Sequence, residues 1–106
     1  MDRAELTAWA AANGWQEIAG HPSLARPNKP KEAIVRLVLK ATVVALEIKK
    51  PSGKWDKVAS APYAQVKPDS EGGPPTGLGL ENLPGLSMLM RDNKDMQVFA
   101  GVGKPR

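Results

Sequence analysis

The fold turns on the stretch AIVRLVLKATVVALEIK, residues 33–49. As extended chain, Ala33, Val35, Leu37 and Leu39 share one face, and the apolar set then changes parity to Val44, Leu46 and Ile48. Side chains alternate along a strand with a period of two, so a parity switch needs a turn or bulge, here near Lys40-Ala41-Thr42. That tripeptide lacks Gly, Asn and Asp, the residues that reverse a chain most readily. A helix over 31–40 is the competing reading, because Glu32, Arg36 and Lys40 recur every four residues with favourable pairing. The β-branched residues between positions 34 and 44 decide for two strands.

Working outward, Val43 to Lys50 runs into Pro51-Ser52-Gly53-Lys54, where a Pro followed by Gly two residues on suits a tight turn. Trp55 to Ser60 returns as the next strand, Pro62-Tyr63 interrupts it, and Tyr63 to Val66 extends it. Upstream, Asp2 and Glu5 have the spacing of a capping box. Leu6, Trp9, Ala10 and Asn13 then follow a helical stripe, which Asn13-Gly14 ends. Trp15 folds back on the last turn, so Trp9 and Trp15 are expected to meet and to be buried as the anchors of the helix. Trp15 to Ala19 reads as a short strand, Gly20-His21-Pro22 as a turn and Ser23 to Arg26 as a strand. Pro27-Asn28-Lys29-Pro30 reads as a loop. Residues 67–77, rich in Pro, Gly, Asp and Ser, read as a flexible loop. Leu80 to Asn93 reads as a short helix that Pro84 can break. In that helix Leu86, Leu89 and Met90 face the core and Asp92-Asn93 ends it. Met96 to Val102 would add a strand, with a tail from Gly103. The fold class expected is α+β: an N-terminal helix packed on a three- to five-stranded, mainly antiparallel sheet, with a short C-terminal helix, all in one domain spanning residues 1–106.

The 106 residues contain no cysteine, which excludes a disulfide scaffold, thiolate metal sites and thiol nucleophiles, and fits a reducing compartment. The early acids Asp2 and Glu5 do not match a signal peptide, and the stretch Ala41 to Leu46 is too short to span a bilayer. The expectation is a cytoplasmic protein of bacterial type, with no membrane association and no cofactor. The net charge of +4 is unevenly spread. Residues 1–25 carry −2, residues 26–57 carry +6 and residues 58–106 balance to zero, so the positive charge belongs to the middle third.

Within that third, Trp55 lies between Lys54 and Lys57, and Lys49 and Lys50 stand across the turn. Bases around an exposed aromatic can hold nucleic acid through phosphate contacts and stacking. The plainer reading makes Trp55 a cross-strand core residue and the lysines a solvated edge. Lys49, Lys50, Lys54, Trp55 and Lys57 are the candidate site, for nucleic acid or an acidic protein partner. His21 is the single histidine and a weak catalytic candidate; the plainer reading is a turn residue. With no second His and no Cys, it cannot hold zinc with conventional partners. Asp69-Ser70-Glu71-Gly72 lacks the acids of a calcium loop, and the glycines at 77, 79 and 103 lack the rest of a nucleotide-binding motif. Met88, Met90 and Met96 read as core filling, with a partner surface as the alternative.

Gly14-Trp15 after a helix, followed by a strand and Gly20-His21, resembles small RNA-cleaving toxins of the HicA kind. The resemblance covers less than a third of the chain. It implies a helix, three strands and a helix, with a His opening the second strand. The small polar residue that the family places between Gly and His is missing here, and Pro22 follows instead. The functional expectation is a non-enzymatic binding or accessory module with a basic hairpin surface. Metal-independent RNA processing by His21 and a small structural subunit are the alternatives.

Overall fold

The computed structural model describes residues 1–26, 28–70, 73–83 and 85–103, and the side chains of these except at 30, 31 and 95–103. Helix α1 (Arg3–Ala12) is followed by strands β1 (Gln16–Ile18), β2 (His21–Arg26), β3 (Lys29–Leu39), β4 (Val43–Lys49) and β5 (Trp55–Pro62), then by helix α2 (Leu86–Gly103). The strands pair in chain order as a five-stranded antiparallel meander. Residues 33–49 thus form two strands rather than a helix, with Leu37 opposite Leu46 and Leu39 opposite Val44.

The Lys40–Thr42 turn is held from outside the hairpin, which compensates for its poor turn chemistry. The Lys40 N–H donates to the Val43 carbonyl, while the Tyr63 hydroxyl donates to the Lys40 carbonyl at 2.6 Å. Tyr63 itself lies in a 3-10 turn (Tyr63–Gln65), not in an extension of β5, because Pro62 ends the strand. At the other hairpin, Gly53 has the left-handed φ of +92° that its turn requires, and its N–H donates to the Lys50 carbonyl.

The reversal between β1 and β2 sits earlier than the Gly20-His21-Pro22 expectation. Ala19 and Gly20 both have positive φ (54° and 84°), the requirement of a two-residue type I′ hairpin, and His21 and Pro22 already belong to β2. The next reversal is also tighter than a loop over 27–30, since Arg26 and Lys29 are register partners.

The Asp2–Glu5 capping box forms as expected. Trp9 and Trp15 meet with ring centroids 5.8 Å apart. Trp15 is buried but Trp9 is only half-buried, so the anchors of α1 are Leu6 and Ala10. These join Trp15, Leu24, Val35, Leu37, Val44, Leu46 and Leu86 in one core, so both helices cover the same sheet face. At residues 67–77, Lys67 and Thr76 exchange backbone hydrogen bonds at the base of the loop, and Pro75 is buried.

The C-terminal expectation needs correction. After a 3-10 turn at Leu80–Asn82, α2 runs for 18 residues, through Asp92-Asn93 and through the expected strand Met96–Val102. Pro84 and residues 104–106 lie outside the described residues. Leu86 is buried and Leu89 and Met90 pack on the core, whereas Met88 is exposed and does not fill it. Asn93 does not cap the helix, because its amide is engaged elsewhere. Its Oδ1 accepts from the Ala25 N–H at 3.1 Å, and its Nδ2 donates to the Ala25 carbonyl at 2.9 Å and to the Leu89 carbonyl at 2.8 Å. Asn93 is fully buried and meets β2 where its register shifts, beyond the point at which β1 begins opposite Ser23. Beside it, Gly14 has a φ of +91°, and a Cβ there would fall 2.7 Å from the Lys94 nitrogen and 2.9 Å from the Met90 oxygen.

Two outcomes are expected from this packing. Asn93→Ala would strand a buried N–H and C=O of Ala25 and should destabilise the fold by about 2–4 kcal/mol in urea unfolding, with no comparable loss for Asn82→Ala on the surface. Burial raises the Tyr63 pKa above its usual 10.0, an effect that the Arg3 charge only partly offsets. A folded-state pKa above the unfolded value means that the folded state retains its proton longer. Its contribution is therefore complete below about pH 10 and is lost as pH rises further. Urea midpoints from about pH 8 to about pH 11 should fall less steeply for Tyr63→Phe than for the wild type.

Candidate functional site

Because α1 and α2 cover one face of the sheet, the other carries no helix among the described residues. Register and alternation place Ser23, Arg36, Glu47 and Lys57 in one row across it, and Lys49 and Trp55 in the next. Val38, Ala45 and Ser60 form a further row.

The centre of this face is a three-residue unit. The Arg36 Nε donates to Glu47 Oε1 at 2.7 Å and its Nη2 forms an ion pair with the same oxygen at 2.7 Å, and both side chains are about four-fifths buried (23% and 20% exposed). The Arg36 guanidinium carbon lies 4.0 Å from the centroid of the Trp55 ring. A guanidinium held by a carboxylate and stacked on an indole is a fixed plate whose charge is largely neutralised. Trp55 is therefore not a residue of the helix-covered core. It is half-buried on the uncovered face.

Lys49, Lys50, Lys54 and Lys57 are all exposed. Lys54 stands directly across the turn from Lys50, whose N–H donates to its carbonyl at 2.8 Å. Lys49 and Lys50 line a depression of about 380 Å³ together with Arg26 and Lys29, while Lys54 and Lys57 are not in its wall. Among the described residues its one acid is Glu32, which pairs with Lys29 at 3.7 Å in an exposed contact that contributes little. Arg26 and Lys29 escaped the sequence reading because they lie on a different hairpin, far along the chain from Lys49 and Lys50. The signal that finds them is topological: in an antiparallel meander, alternate turns lie at the same end of the sheet, so the β2–β3 and β4–β5 turns are neighbours.

His21 opens β2 opposite Ile18, beside the β1–β2 turn at the other end of the meander. It is half-buried, and the Ser23 hydroxyl donates to its carbonyl, not to its ring. Among the described residues no three of His, Cys, Asp and Glu are grouped to hold a metal ion. Among the described residues no helix is long and apolar enough to cross a membrane. A second depression of about 350 Å³, walled in part by Arg3, Thr7, Trp15 and Glu17, lies beside α1 and holds no candidate residue. Compared with known proteins, the chain matches no family model, no curated protein and no solved structure.

The Arg36–Glu47 pair should behave as a coupled unit. A double-mutant cycle of Arg36→Met and Glu47→Gln in thermal unfolding is expected to give a coupling of roughly 0.5–1 kcal/mol. The coupling should change little between low and high salt, because the pair is mostly removed from solvent.

Proposed function

We propose that this protein is a non-enzymatic binding module whose contact surface is the hairpin end of the uncovered sheet face, and that its ligand is a polyanion. The observation that supports this reading is the convergence of Arg26, Lys29, Lys49 and Lys50, drawn from two hairpins, around one depression. Among the described residues, four bases around one acid create a localised positive field. Like charges at such proximity cost stability, a cost that a bound anion would reverse. Lys54 and Lys57 extend the positive surface along the hairpin without joining the depression. A cysteine-free chain is suited to a reducing compartment such as the cytoplasm, where nucleic acid is the most abundant polyanion.

The test is titration with mixed-sequence DNA and RNA oligomers at low salt. The wild type should bind with an affinity that falls as salt rises. Gln at Arg26, Lys29, Lys49 and Lys50 should reduce the salt slope by roughly one unit for each phosphate that is no longer neutralised. Gln at Lys54 and Lys57 should have the smaller effect. Absence of binding by the wild type would sink the proposal. RNA cleavage without metal, abolished in His21→Ala, would replace it with an enzymatic reading.

A further inference from the structure

We infer that the polyanion is single-stranded nucleic acid, with one base stacked on the Trp55–Arg36 plate and its flanking phosphate in the basic depression. This rests on the polyanion reading above. Lys49 connects the two halves: it is the register partner of Trp55 and also lines the depression with Arg26, Lys29 and Lys50. A nucleotide has the same two parts side by side, a flat apolar base and a charged phosphate. The plate has features that a surface built only for charge would not need. A large aromatic is held half-buried on a face that no helix covers, and its stacked guanidinium gives most of its charge to Glu47. What Arg36 and Trp55 offer a ligand is therefore a flat surface for π-stacking, while the phosphate contacts fall to the depression. A duplex keeps its base faces inside its own stack and can use only the basic end. An acidic peptide has carboxylates but no large flat group to match the indole.

The experiment compares four probes of matched charge at one salt concentration: a single-stranded oligomer, its duplex, an abasic single strand with the same phosphates, and polyglutamate. The wild type should prefer the intact single strand, with tryptophan emission quenched on binding. Trp55→Leu should weaken single-strand binding roughly 5- to 150-fold, the size of one base–aromatic stack, with an unchanged salt slope, and Trp55→Phe should restore part of the affinity. The abasic strand should bind the wild type about as weakly as the intact strand binds Trp55→Leu. The abasic arm needs no variant, so it decides the question even if Trp55→Leu fails to fold. Equal binding of single strand, duplex and abasic strand would overturn the stacking inference and leave the polyanion reading standing. Tighter binding of polyglutamate would overturn it in favour of an acidic protein partner. Failure of the wild type to bind all four probes would overturn both readings.

Discussion

The pairing of the Asn93 amide with the backbone of Ala25 fixes the relation between helix and sheet. A primary amide presents one acceptor and two donors, enough to satisfy both backbone groups of a strand residue and still bond its own helix. Beyond the start of β1, the edge of β2 would otherwise carry unpaired backbone groups into the packed interior, at a cost of a few kcal/mol. The side chain thus stands in for the missing strand, and α2 can lie only where its Asn93 meets Ala25. The close approach of α2 to Gly14 follows from the same position, since any side chain there would push the helix off.

With α2 and α1 both committed to one face, the sheet becomes strongly two-sided. Leu24, Val35, Leu37, Val44 and Leu46 supply the apolar driving force on the covered side. The uncovered side avoids becoming an apolar patch by a different device. Across its middle, Arg36, Glu47 and Trp55 shield one another, and the unbalanced charge lies at Lys57 and at the sheet end beyond them. The apolar core and the candidate binding surface therefore lie on opposite faces of the sheet.

The elements that were legible in the sequence are those set by local periodicity. The parity switch within 33–49, the capping box of α1, the Asn13-Gly14 stop and the Pro51–Lys54 turn all depend on neighbours in the chain. What was not legible depends on distant partners. Asp92-Asn93 has the composition of a helix end, but Asn93 is drawn into the helix interior by a backbone 68 residues away. The β-branched and aromatic residues after Met96 suggest a strand, yet they continue a helix already committed upstream. The lysine hairpin was visible as a charge cluster, while Arg26 and Lys29 joined it only through the order of strands. Trp55 could not be placed on a face without the register of β4 against β5.

The strand order also has a kinetic meaning. Every strand pair in the meander joins neighbours along the chain, so the sheet can zip from one hairpin to the next with small loop-closure costs. Closure of α2 onto β2 spans 68 residues and is a long-range step, as is the tie of the Met1 amino group to the Tyr63 and Val66 carbonyls. The sheet is thus the natural folding nucleus and the docking of α2 the late event. Interactions made late resist unfolding more than they hasten folding, so the Asn93 clasp acts as a latch that governs how long the native state persists once formed.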